Sequence, residues 1–149
     1  MSGPLGPVVR ECVEGYVYVA TPLQLLVLQR PPERQHGIWI PVTGKVEPTD
    51  PDLEAAVLRE VREETGLTEP RELWPLDWHV PFRADNGETW RLHAYALRVD
   101  RPFPPTLSAE HVAFAWLSPA EAVERLHYPD NREAVGRLVQ RAAGRAGKA

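Results

Sequence analysis

One cysteine, Cys12, stands among 149 residues, which excludes a disulfide framework within the chain and a cysteine-rich zinc centre. No apolar run approaches the roughly 20 residues that a membrane-spanning helix needs. The opening MSGPLGPVVR lacks the basic-then-apolar pattern of a secretory leader. A cytoplasmic protein with no membrane contact is therefore expected. Lysine is scarce: Lys45 and Lys148 are the two among 17 basic residues, and 21 acids leave a net charge of −4. Such a chain repels polyanions as a whole, which argues against a nucleic-acid duplex as partner and demands a local cation for any phosphate ligand. What the chain does have is 43% apolar content with five Trp, enough for one core in a single domain over residues 1–149.

The apolar runs GYVYVA (Gly15 to Ala20) and QLLVLQR (Gln24 to Arg30) predict two strands joined by a tight turn, and IWIPV (Ile38 to Val42) a short third one. TGKVEPTDPD reads as a loop. A helix is expected from about Asp52 to Thr65, with Asp50 as its cap, Pro51 at its first position and Gly66 as its left-handed stop. ELWPLDWHVPF and TWRLHAYALRV alternate as strands around ADNG, and HVAFAWL is a further strand. Ser118 with Pro119 starts a short helix, and Asn131 is placed to cap a last one reaching about Arg141, leaving a tail over 142–149 expected to fray.

Chemistry concentrates in LREVREETGL, Leu58 to Leu67. At about 100° per residue, Glu60, Glu63 and Glu64 share an arc with Leu53, Ala56 and Val57, so acids continue an apolar stripe. Carboxylates on a face turned toward the body of the protein need a cation against them. Mg²⁺, or Mn²⁺ in its place, fits as a hard ion that takes oxygen ligands and substrate phosphates together. Arg59, four residues before Glu63, can hold that side chain. A surface helix laced with ion pairs is the plain alternative for EVREE taken alone.

The stretch from Gly44 to Leu67 resembles the Nudix box. Arg59, Glu60, Val61, Glu63, Glu64, Gly66 and Leu67 match each specified position of its second half. The first half departs from the pattern: Asp50 stands where the family usually has Glu, and eight residues rather than seven separate it from Arg59. The resemblance implies an α/β fold, the Nudix α/β/α sandwich around a mixed sheet. It implies Glu60 and Glu64 as principal Mg²⁺ ligands, Glu63 as ligand or general base, Arg59 as the group that orients the acids, and the Gly44 carbonyl as a further ligand. WIPVTGKVE, EHVAFAWL and DNREAV look like the branch of dihydroneopterin triphosphate and dATP pyrophosphohydrolases. There, the counterpart of Glu110 is a metal ligand and those of Arg30, Thr43 and Asn131 touch substrate.

Taken singly, these residues have plainer readings. Glu110 could be a solvated acid at a strand edge, Asn131 a helix cap, and Arg30 a surface cation. Lys45 follows the glycine and can face a phosphate, while Trp39, Trp90 or Tyr128 could stack on a base or sit in the core. The five histidines show no metal-ligand spacing. The expected activity is Mg²⁺-dependent hydrolysis of a nucleoside or pterin triphosphate, a small molecule, to monophosphate and pyrophosphate. Hydrolysis of a dinucleoside polyphosphate and a silent nucleotide-binding module stay open beside it. Homodimers occur in the family, and nothing in the sequence requires or forbids one.

Overall fold

The structure is a computed structural model that describes residues 4–146, apart from the side chains of Gln35 and Ala146. Residues 1–3 and 147–149, the start of the stretch read as leaderless and the end of the tail expected to fray, lie outside the described residues. β1 (Val8–Ala20) is the organising strand. On one side it pairs antiparallel with β2 (Leu23–Gln29) and β4 (Val42–Lys45), and on the other it runs parallel to β6 (Thr89–Val99). β6 pairs with β5 (Glu72–Arg83), and β2 carries both β3 (Trp39–Ile40) and β7 (Ala113–Leu117). The seven strands make one mixed sheet.

Side chains alternate across β1 because a strand repeats every two residues. Val13, Val17 and Val19 point into a core with Ala56, Val57 and Val61 of α1 (Leu53–Thr65). Tyr16 and Tyr18 point the other way, into a second core with Ala122 of α2 (Pro119–Arg125) and Ala134, Val135 and Leu138 of α3 (Pro129–Ala146). Helices thus cover both faces, and the expected α/β/α sandwich is what forms. None of the helices is long and apolar enough to cross a membrane among the described residues.

Five local expectations need correction. The third strand does not run through Val42. Pro41 has no N–H to give a ladder, so the run splits into β3 against β2 and β4 against β1, and the residues read as loop, Thr43 to Lys45, are strand. The cap of α1 is Asp52, whose carboxylate accepts from the Ala55 amide at 2.8 Å, a contact typically worth about 1 kcal/mol. Asp50 is thereby free for another partner. Gly66 ends the helix with φ of +84° as expected.

The last helix starts at Pro129, which places Asn131 inside its first turn rather than at the cap. It also continues past Arg141 to Ala146. Cations of α3 hold it down on β5: the Arg137 guanidinium lies 4.5 Å from the Trp78 ring and that of Arg145 4.7 Å from Trp74, with Arg145 also 3.1 Å from Glu72. Residues 142–146 are helical for that reason.

Candidate active site

A cleft of about 920 Å³ opens on the α3 side of the sheet. Its floor is the even side of β1, Cys12 and Glu14. One wall is β4 with Thr43, Gly44 and Lys45, the opposite wall is Val80, Phe82, Trp90 and Leu92 of β5 and β6, and the mouth carries Arg30, Arg34 and Glu110. Glu60 reaches it from α1, and Asn131 from the first turn of α3.

Arg59 is the hub beside the cleft. Its Nε and Nη2 donate to the two oxygens of Asp50 at 2.9 and 2.8 Å, Nη2 also to the Lys45 carbonyl at 3.0 Å, and Nη1 to Glu60 and Glu63, each at 2.9 Å. The forked pairing holds the Asp50 carboxyl down at about 2. Gly44 sits directly against Glu60: a Cβ there would stand 2.0 Å from the Glu60 carboxyl carbon. Burial pushes the Glu60 carboxyl up to about 7, and the neighbouring charges of Glu63 and Glu64 add to the rise against the pull of Arg59.

Glu60, Glu63 and Glu64 do not share one environment. Glu60 lines the cleft, Glu63 is half-exposed on Arg59, and Glu64 is buried, accepting from Ser108 Oγ at 2.7 Å. His111 Nδ1 lies 2.7 Å from the same Glu64 oxygen, yet neither ring nitrogen of His111 makes an aligned hydrogen bond. Burial alone would raise the Glu64 carboxyl; the His111 and Ser108 contacts outweigh it and hold it low. Glu110 is paired with Arg34 at 3.1 Å, both half-exposed. Among the described residues, no three His, Cys, Asp or Glu side chains surround a common point. The oxygens of Glu60, Glu63, Glu64 and Glu110 are the donors that could hold a hard cation here.

Of the residues singled out for substrate, Arg30, Thr43, Lys45 and Asn131 line the cleft. Arg30 is half-buried, its Nε has no hydrogen-bond partner, and burial followed by the Arg34 charge makes its cation costlier. The Lys45 ammonium lies 5.0 Å from the Trp90 ring centre. Trp39 is not in the lining: its ring packs on the α2–α3 core beneath the Arg125 guanidinium at 4.9 Å.

A family model described as the NUDIX domain matches residues 15–138. The chain belongs to the Nudix family. It is 36% identical over 119 residues to an octanoyltransferase of Myxococcus xanthus, covering 78% of this chain and only 32% of that protein. It therefore spans about a third of that relative's length. It is 37% identical over 109 residues to CTP pyrophosphohydrolase of Escherichia coli, covering 71% of this chain and 73% of the relative. The fold matches that of the E. coli dihydroneopterin triphosphate pyrophosphohydrolase with a TM-score of 0.77 at 22% identity, covering 91% and 99% of the two chains.

The buried acid on the floor of this Nudix cleft was not singled out from the sequence. Glu14, 3% exposed, accepts from Tyr16 Oη at 2.6 Å and from Asn131 Nδ2 at 3.0 Å, and burial pushes its carboxyl up to about 7. Two-residue alternation back from Tyr18 and Tyr16 is the signal that would have placed it.

Glu14 and Glu60 are the carboxyls whose raised values make stability fall as pH rises from 4.5 to about 7. Below an ordinary carboxyl value of 4.5, folded and unfolded chains both hold these protons. Between 4.5 and about 7 the unfolded chain releases them first, so rising pH favours unfolding, and above about 7 the penalty is constant. With chelator present, the Tm is expected to decline across that window and then level off. The slope should flatten in Glu14→Gln and in Glu60→Gln, as read by thermal denaturation against pH. An unchanged slope in both variants would contradict the assignment.

Proposed function

We propose that the chain is a divalent-metal-dependent hydrolase that cleaves a nucleoside or pterin triphosphate to the monophosphate and pyrophosphate. The observation that carries this reading is the meeting, in one cleft, of a half-buried guanidinium with an unpartnered Nε, Arg30, and of acids whose charge is poorly compensated, Glu60 first among them. A ligand bringing phosphate to the first and a cation to the second answers both. The similarity to a protein named CTP pyrophosphohydrolase supports a triphosphate substrate.

The donor chemistry fits magnesium: oxygen donors only, one of them a carboxylate costly as an anion, beside a residue without a Cβ. Glu60, Glu64, Glu63 and Glu110, with the Gly44 carbonyl, would hold it. Bound there, the ion would acidify water and neutralise charge on the diphosphate. Arg59 orients Glu60 and Glu63 and keeps Asp50 ionised. Arg30 and Lys45 grip phosphate oxygens, Thr43 adds a hydroxyl, and Val80, Leu92 and Ile40 offer apolar surface to the base. Glu63, half-exposed beside Arg59, is a ligand or the base that takes a proton from water. A soluble nucleotide pool as substrate source goes with a cytoplasmic location.

Product analysis tests the reading. Incubation of triphosphates with Mg²⁺ at alkaline pH is expected to give inorganic pyrophosphate and the monophosphate in equal amounts. Release of orthophosphate instead, or no turnover of any triphosphate, would refute it.

A further inference from the structure

The cleft floor has a hydrogen-bonding bias that can be counted. Tyr16 Oη gives its single proton to Glu14 and accepts from Asn131 Nδ2 at 3.1 Å. Both amide protons of Asn131 are spent, on Glu14 Oε2 and on Tyr16. The opposite amide orientation would set Asn131 Oδ1 against a carboxylate, so the assignment is fixed by the neighbours. Asn131 is 1% exposed and its Oδ1 has no partner. Glu14 spends one lone pair on each oxygen and keeps others. Asp130, at the same end of the cleft, adds carboxylate oxygens. No proton of Tyr16 or of the Asn131 amide remains to be given, and acceptors remain on Glu14 and Asn131.

A ligand that completes this floor must therefore bring donors. We propose that Glu14 and Asn131 form an acceptor-only site that selects a base with a ring N–H beside an exocyclic amino group, the edge shared by guanine and pterin. This rests on the triphosphate-hydrolase reading above and narrows its substrate class. The ring N–H would face a Glu14 oxygen, and the amino group would reach Glu14 and the orphaned Asn131 Oδ1. Adenine and cytosine place a ring-nitrogen lone pair beside their amino group, and that lone pair would meet carboxylate oxygen. Val80, Leu92 and Ile40 in the lining supply flat apolar contact for the ring. Glu14 acts as a specificity residue and takes no part in bond breaking.

Guanosine and inosine triphosphates differ only by the amino group, which makes them the probes. At alkaline pH, where Glu14 is ionised, kcat/KM for GTP is expected to exceed that for ITP by roughly 10- to 100-fold, the range that one or two buried hydrogen bonds give. In Glu14→Gln, which keeps the volume and adds an amide donor, kcat/KM should fall for both triphosphates and more steeply for GTP, so that the GTP to ITP ratio declines. Equal turnover of GTP and ITP by the unaltered protein would overturn the inference and leave the hydrolase reading standing. A Glu14→Gln variant that loses both activities in proportion would also overturn it, showing a structural role only. If no triphosphate is turned over, calorimetric titration with GTP and ITP decides: tighter binding of GTP upholds the acceptor floor, and equal binding removes it.

Discussion

Glu60→Gln is expected to lower kcat by about 10²- to 10³-fold, the usual cost of removing one preorganised charge from a reaction site, while leaving the fold as stable as before or more so. The two effects have one cause. Glu60 is held in a partly desolvated place, against Gly44 and next to two further acids, where its carboxyl titrates near 7. Glutamine keeps the volume and an oxygen for Arg59 Nη1 but takes away the charge that burial opposes. Free energy lost in folding is thus invested in the site, a trade common at reactive centres. The measurement is kcat beside Tm at alkaline pH. A variant as active as the parent would end the role assigned to Glu60, and one that is inactive because it is unfolded would show in the Tm.

Gly44→Ala should be nearly as damaging, for a steric reason. The new methyl would stand 2.0 Å from the Glu60 carboxyl carbon and 2.3 Å from each of its oxygens. β4 is pinned to β1 through the Gly44–Val13 register, so the carboxylate must give way. Overpacking of this kind costs about 1–3 kcal/mol, and displacement of Glu60 should take activity down by about 10²-fold or more. A double substitution separates the two losses. Gly44→Ala with Glu60→Ala should regain stability relative to Gly44→Ala alone, since the methyl then meets space, and regain no activity. If Gly44→Ala is as stable and active as the parent, the contact described here is not what restricts this position to glycine.

Much of the cleft was legible before any coordinates. LREVREETGL carries its helix, its stop at Gly66 and its hub Arg59 in local spacing, because a helix brings residues three and four apart together without help from the rest of the chain. The mixed sheet is what the resemblance to the Nudix box implies, and the interleaved alternating runs agree with it. What resisted reading depends on distant partners. Asp50 reads as a cap because acids before helices usually are, yet a guanidinium nine positions away claims it and Asp52 caps instead. Asn131 looked like a cap because it follows Pro129 and Asp130, but its amide is spent on β1. Trp39 fitted a base-stacking role until β3 turned out to pack on the α2–α3 core. Glu14 gives no local signal because β1 begins at Val8, before the apolar run that advertises it. His79 and His93, unremarkable in spacing, meet Nδ1 to Nδ1 at 2.7 Å through the pairing of β5 with β6.

β1 serves two masters, with Val13 and Val17 seating α1 and Cys12 and Glu14 furnishing the cleft. A slip of one position along its parallel contact with β6 would exchange the two sets. Acid would then lie beneath the helix and valine in the cleft. Chains that assemble out of step would be unstable and inert at once, so quality control that removes the unstable also removes the inert.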